Sequence, residues 1–376
     1  MQSPLKLALA TLLAVAAPGR PCLADSLLAM SGPLAFRPTP AALDTGPFGS
    51  FDVRGAVSAL AFLQDNPSRG DSDTALDLDN AQLFVQSSGG SLQLFAAIGA
   101  YALPSLGTPY VSATRLASET YGYVPEAFAK FSFSDTVSIQ AGKLPSLIGD
   151  EAVFTIENIN LERGLLWNQT PSISRGVQLN YTSGAVALSL SWNDGFYANR
   201  FNWISGAASY TLGSMGTVAL LGGANLGHTA YADFATPLAQ NNSAILDIAY
   251  TLALDDWTLN PYLQLSEIPR NGAAGVSGSG HSVGIAMLVI RKLNDNWSIG
   301  ARGEDLSAGG DENLLYGPRS SAWSFTLTPT YQKGVLFARA EASYVGLSRA
   351  QPGAGLGRAG ESNSQARLML ETGLLF

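Results

Sequence analysis

From Phe51 to the C-terminus the chain alternates between residue types with a period of two over many short segments. Val186, Leu188, Leu190 and Trp192 fall on one face of an extended segment, and Ala187, Ser189 and Ser191 on the other. The same arithmetic groups Leu92, Leu94, Ala96 and Ile98, and sets Val177, Leu179 and Tyr181 against Gly176, Gln178 and Asn180. Further on, Trp323, Phe325, Leu327, Pro329 and Tyr331 oppose Ser324, Thr326, Thr328 and Thr330. Successive side chains of a strand point to opposite sides, so period two predicts strands whose faces meet different environments. In a soluble sandwich the apolar face is core. In a transmembrane barrel it meets lipid, and the small polar face lines a wet interior.

The connections decide between these two. Tight turns are predicted around 87–90, 134–136, 182–184, 213–216, 254–256, 294–296 and 332–334. Between them lie long Gly/Ser/Pro-rich stretches near 63–78, 102–124, 145–174, 194–201, 227–242, 267–280, 305–321 and 345–364. Short and long alternate without a break, as short periplasmic turns and longer extracellular loops do in a membrane barrel. The count predicts about 16 strands in an antiparallel up-and-down barrel over residues 51–376, with both ends on the periplasmic side. The aromatics follow suit. Phe133, Tyr181, Tyr210, Tyr250, Trp257, Trp297 and Tyr331 stand beside short turns, and Trp192, Trp323 and Tyr344 beside long loops. Rings with one polar edge prefer the lipid–water boundary, so two girdles are expected.

The last strand runs from Gln365 to Phe376. Leu374, Thr372, Leu370, Leu368 and Ala366 point outward; Leu375, Gly373, Glu371, Met369, Arg367 and Gln365 point inward. An alternating strand that ends on a C-terminal Phe resembles the signal read by the barrel-assembly machinery, with Phe376 its last residue.

Composition agrees. Apolar residues make up 46% and charged residues 13% of the 376, about half the roughly 25% charged fraction of a soluble protein. No stretch nears the ~18 continuous apolar residues of a spanning helix, so a helical membrane protein is excluded. At the N-terminus Lys6, the apolar run Leu7 to Ala17 and Cys22-Leu23-Ala24 predict a signal peptide over 1–24, cleaved before Asp25. Gly19 stands where a lipoprotein signal wants an aliphatic residue, so Cys22, the single cysteine, leaves with the signal. Without Lys6 and Arg20, 19 of the 21 basic residues remain against 29 acidic, a net charge of −10. That leaves no basic footprint for nucleic acid. Residues 25–50, rich in Pro, Gly and Ala, read as a loosely ordered periplasmic lead-in, far too short for the plug domain of an energised transporter.

The segment Ile139 to Glu151, with Gly142-Lys143 running into Ile148-Gly149-Asp150-Glu151, resembles the OmpL-like β-barrel porin family. So do Asn158 to Leu166 with Glu162-Arg163, the strand opening Arg175-Gly176-Val177, Arg302-Gly303-Glu304, Arg339-Ala340-Glu341 and the final strand. The resemblance spans most of the mature chain and implies a passive outer-membrane pore.

A pore works by its width and by the charges at its narrowest point. The longest connection, 145–174, joins the fifth and sixth strands. In that position it resembles the third loop of general porins, which folds inward and narrows the channel. It carries Asp150, Glu151, Glu157, Glu162 and Arg163 as candidate constriction residues. Leu147, Ile148, Val153, Phe154, Ile156, Leu161, Leu165 and Leu166 give it apolar surface to bury; the competing reading is a loop packed on itself or in a trimer interface. Arg54, Lys130, Arg302, Glu304, Arg339, Glu341, Arg367 and Glu371 are expected on the inner wall, with Asp52, Glu126 and Asp247. Arg or Lys facing lipid at mid-membrane costs roughly 2–4 kcal/mol, which favours that side. Arg302/Glu304, Arg339/Glu341 and Arg367/Glu371 are candidate pairs across neighbouring strands, which brace a barrel whether or not solute touches them. Lys143, Arg175 and Arg291 break the alternation near strand ends, where long side chains snorkel, or where a bulge after Gly142 turns Lys143 inward. Thr217 to Asn225 alternates poorly.

Other signals carry less. Gly353-Ala354-Gly355-Leu356-Gly357 follows no parallel strand and opens no helix, so no nucleotide fingerprint is expected. Asp311-Glu312-Asn313 offers loop oxygens to Ca²⁺ or to cations bridging lipopolysaccharide, but no metal site and no cofactor are expected. The expected function is an outer-membrane porin passing small hydrophilic solutes by passive diffusion. Its partners are membrane lipid, lipopolysaccharide and the assembly machinery, as a monomer or a homotrimer. One alternative is a rim lipase or protease, which needs a His with Ser or Asp in fixed geometry and has only His228 and His281 to offer. The other is an adhesin or receptor acting through its loops.

Overall fold

The computed structural model describes residues 30–46, 49–87 and 89–376. The expected signal segment, 1–24, lies outside the described residues. A short strand, β1 (Ala41–Asp44), precedes the barrel. Its first half is β2 (Ser50–Gln64), β3 (Thr74–Ser87), β4 (Leu92–Tyr101), β5 (Glu126–Ser132), β6 (Val137–Pro145), β7 (Ile173–Ser183), β8 (Val186–Asn193) and β9 (Trp203–Thr211). The second half is β10 (Thr217–Asn225), β11 (Ala244–Leu254), β12 (Trp257–Ile268), β13 (Gly280–Lys292) and β14 (Trp297–Gly310). It ends with β15 (Ser321–Lys333), β16 (Leu336–Ser348) and β17 (Ser364–Leu375). Each strand from β2 onward pairs antiparallel with the next. β17 returns to β2, with Leu368 beside Leu63 and Leu374 beside Val57, so the sixteen strands close. Closure leaves no strand edge unpaired, which lipid requires because it offers no hydrogen bonds.

The last residue helps to seal the ring. Phe376 N–H donates to the Gly55 carbonyl at 3.0 Å, and Gly55 N–H donates to the Phe376 carbonyl at 2.8 Å. The faces follow the alternation: Leu188, Leu190, Phe325, Leu327, Leu368 and Leu370 are exposed, while Ser189, Ser191, Thr326, Thr328, Arg367 and Glu371 are buried. Phe133, Tyr181, Tyr210, Trp257 and Trp297 are exposed at the short-turn ends, and Trp192, Trp323 and Tyr344 at the other. Neighbouring strands pair their rings, Trp297 with Tyr331 at 4.9 Å and Trp323 with Tyr344 at 5.3 Å.

Three local features depart from simple alternation. Between Ser58 and Ala59 the β2–β3 register slips by one residue of β3, leaving Asp79 as the extra one. A bulge lets two successive residues share a face, and Asp79 and Asn80 are both fully buried inside the barrel. In β10, Leu220 faces out while Leu221 turns in and packs in a cluster with Leu147, Leu165 and Leu166 of the long loop. Inward apolar residues there serve a packed interior, which is why the segment alternated poorly. Finally, of the 25–50 lead-in, residues 25–29 and 47–48 lie outside the described residues, and Met30 and Phe36 are buried within the barrel. Its Pro, Gly and Ala content suggested a loose segment, but small residues also suit a chain packed against a loop.

Candidate functional site

The connection between β6 and β7, residues 146–172, folds into the barrel. Phe154, Asn160, Leu161, Arg163 and Leu166 are buried, and Phe154 meets Phe84 of β3 and Tyr101 of β4 at 5.9 and 5.5 Å between ring centres. Two glutamates of the wall each accept two successive loop amides. Glu341 of β16 takes Leu161 N–H at 2.5 Å and Glu162 N–H at 2.9 Å. Glu304 of β14 takes Leu165 N–H at 3.0 Å and Leu166 N–H at 3.2 Å. A loop without a strand partner has unsatisfied amides, and a carboxylate makes charge-assisted bonds to them roughly twice as strong as neutral ones.

Three arginines complete the mooring. Arg302 of β14 donates to Glu151 at 2.5 Å and to the Glu162 carbonyl at 2.8 Å, and sits 3.3 Å from Glu304. Arg339 of β16 donates to the Thr155 and Asn158 carbonyls, both at 2.9 Å, and lies 3.7 Å from Glu371 of β17. Arg367 of β17 pairs with Glu162 and also donates to Gln64 of β2. The paired side chains of Arg302, Arg339 and Arg367 are at most 2% exposed. Backbone packs closely here: a Cβ at Gly300 would lie 2.6 Å from the Ile159 carbonyl oxygen, so only glycine lets the loop lie on β14.

The wall pairs form differently from the cross-strand ladder expected. Arg302 and Glu304 do pair, but along one strand; Arg339 pairs with Glu371; Glu341 and Arg367 are turned to the loop. Each charge finds its partner where the loop brings one, which strand spacing alone does not reveal. Asp79 is a further member of the site: Thr155 Oγ1 donates to it at 2.7 Å, and Asn80 Nδ2 donates to Thr155 Oγ1 at 2.8 Å. Two successive polar residues within β3, where alternation demands one, are the trace this leaves in the sequence.

Of the candidate constriction residues, Asp150, Glu162 and Arg163 are buried, Glu162 against Ser343 and Arg367 of the wall and Arg163 against its own loop. Burial pushes the Asp150 carboxyl well above its usual range, with Glu151 and Asp247 adding negative charge nearby. Burial also pushes Arg163 down to about 10; it donates to the Val153 carbonyl and lies 5.7 Å from the Trp167 ring centre. Glu157 keeps partial exposure, as do Arg54 of β2 and Lys130 of β5. Glu126 is buried, and Asp247 of β11 accepts Gly149 N–H at 2.9 Å.

The residues that broke alternation sit at the ends. Lys143 stays in register opposite Arg175, with no bulge, and reaches to the Tyr121 and Val124 carbonyls at 3.0 and 2.9 Å. Arg175 pairs with Asp194 at 2.7 Å, and its guanidinium lies 3.9 Å from the Tyr197 ring centre. Arg291 lies 4.9 Å from the Trp257 ring centre. Asp311 is occupied by Arg319 at 2.9 Å, and among the described residues no group of three or more His, Cys, Asp or Glu is placed to hold a metal.

The family model described as putative beta-barrel porin-2, OmpL-like, matches residues 50–376 of this chain. The chain belongs to that family. It is therefore an outer-membrane β-barrel porin, and the exposed apolar band with its two aromatic girdles fits a barrel in lipid. Solved outer-membrane proteins share the fold. An anion-selective porin from Comamonas acidovorans is 13% identical with a TM-score of 0.59, over 87% of this chain and 99% of that one. Outer-membrane-expressed OmpT of Vibrio cholerae is 11% identical with a TM-score of 0.58, over 89% and 100%. An in-vitro folded OmpT in trimer form is 10% identical with a TM-score of 0.57, over 87% and 99%. No curated protein sequence matches the chain.

Proposed function

We propose that this porin passes small hydrophilic solutes by passive diffusion through a channel narrowed by residues 146–172. Catalysis and cofactor have no part in the reading. The observation that carries it is the inward fold of this loop, moored by Arg302, Glu304, Arg339, Glu341 and Arg367 inside a closed sixteen-strand barrel. A moored loop fixes the width of the channel, and the charges left facing water set its selectivity. The partly exposed candidates are Arg54, Lys130 and Glu157, whereas Asp150 and Glu162 are buried. Export through a signal cleaved after residue 24, insertion directed by the strand ending at Phe376 and assembly as a homotrimer complete the proposal. The trimer form of the Vibrio cholerae OmpT supports the last of these.

Reversal potentials across a salt gradient test the assignment. Lys130→Glu is expected to shift permeability toward cations by about twofold or more. Asp150→Asn is expected to leave it unchanged, because burial already disfavours the charged carboxyl. A large shift from Asp150→Asn with none from Lys130→Glu would place the constriction elsewhere. Solute entry into proteoliposomes should fall steeply with solute size. The rim-hydrolase reading finds no support: neither imidazole hydrogen-bonds to a serine or aspartate among the described residues. His228 contributes only its backbone carbonyl, to Asn202 at 3.0 Å.

A further inference from the structure

Before it reaches β1, the chain runs through the lumen. Met30 N–H donates to the Asp150 carbonyl at 3.1 Å and Gly32 N–H to the Glu157 carbonyl at 2.6 Å, both on the constriction loop. Three residues on, a single side chain holds both backbone groups of one residue. Ala35 N–H donates to Gln332 Oε1 at 2.9 Å, and Gln332 Nε2 donates to the Ala35 carbonyl at 2.6 Å. Gln332 lies at the end of β15, beside the short connection 334–335, which marks the periplasmic mouth. From Met30 to Ala35 the chain can reach at most about 18 Å, a little over half the hydrocarbon thickness. The segment therefore climbs from the mouth to the level of the loop.

Its two sides differ. Met30 is buried in the cluster containing Leu106, Leu147 and Ile159, and Phe36 stacks edge-on against Phe84 at 5.5 Å. Ser31 and Ala35 are exposed. One side rests on loop and wall while the other faces water, so the segment occupies cross-section that the channel would otherwise have. Among the described residues, the hydrogen bonds from Met30 to Phe36 run to loop carbonyls and to the Gln332 side chain, not to strand backbone. The segment can therefore leave without opening the barrel sheet, as elements of low local stability do.

We propose that Met30–Phe36 is a gating strap: docked, it narrows the channel beneath the constriction loop, and released, it leaves a wider channel in an unchanged barrel. The proposal rests on the diffusion-pore reading above. Position 32 shows how finely the strap is seated. A Cβ there would lie 2.5 Å from the Asn158 carbonyl oxygen and 2.7 Å from that of Glu157, backbone atoms that cannot swing aside. Glycine is thus required for docking, and Gly32→Val is expected to undock the upper end. Gln332→Ala frees the lower end.

The test compares full-length protein with Gly32→Val, Gln332→Ala and a deletion of residues 30–36 in planar bilayers. Folding of each barrel is checked first by its heat-modifiable migration. The deletion adds no atom to the lumen, so it decides the matter if Gly32→Val fails to fold. Single-channel steps about twofold larger than wild type, with fewer closures, are expected from the folded variants. A silent wild type beside a conducting deletion also supports the strap. Wild-type steps that survive unchanged in the deletion overturn the strap and leave the pore standing. Silence of every folded form overturns both.

Discussion

Arg302→Ala is expected to release the constriction loop and to lower the stability of the barrel interior by about 3–5 kcal/mol, the cost of breaking a buried ion pair. The arginine touches Glu151 and the Glu162 carbonyl on the loop and Glu304 on its own strand. Its removal leaves two buried carboxylates without their countercharge and the Glu162 carbonyl without this donor. Glu304 would then hold the Leu165 and Leu166 amides alone, with its charge uncompensated. Proteolysis should cut within 146–172, single-channel current should become noisier and larger, and the urea midpoint should fall. Restoring neutrality with Arg302→Met and Glu151→Gln together should recover part of the stability, since an apolar replacement removes the stranded charge. An Arg302→Ala protein with wild-type current, protease resistance and urea midpoint would show that the loop is held by its apolar contacts alone.

The second large effect lies on the opposite face. Leu370, near the middle of β17, is 62% exposed. On a water-facing surface, arginine there would cost almost nothing. Against lipid at the membrane midplane it costs roughly 2–4 kcal/mol, falling to about 0–1 near the interface. Leu370→Arg should therefore destabilise the protein in vesicles strongly, and Leu374→Arg, toward the periplasmic end of the same strand, weakly. Equal and small effects in urea titrations would mean that this band does not meet lipid.

Most of the barrel was legible because lipid enforces alternation. A strand with one face in hydrocarbon and one inside cannot place residues freely, so Leu188, Phe325 and Leu370 announced their side. The loop was legible from length and from apolar residues such as Phe154, Leu161 and Leu166 that a solvated loop would not carry. What each wall charge touches was not legible. Glu341 and Arg367 satisfy loop groups rather than each other's strands, and only the folded path of the loop decides that. Asp79 was hidden by a bulge, which shifts parity by one residue. The strap was hidden for a different reason: docking through backbone amides and one glycine requires almost nothing distinctive of the sequence between Met30 and Phe36.

A sixteen-strand porin whose channel is set by an inward loop should reveal itself in single-channel recording on purified protein in planar bilayers. Discrete, stepwise conductance is expected from the wild type, with larger steps once residues 146–172 are unmoored by Arg302→Ala. Folded, heat-modifiable protein that leaves the membrane closed at every voltage, in both forms, would contradict it.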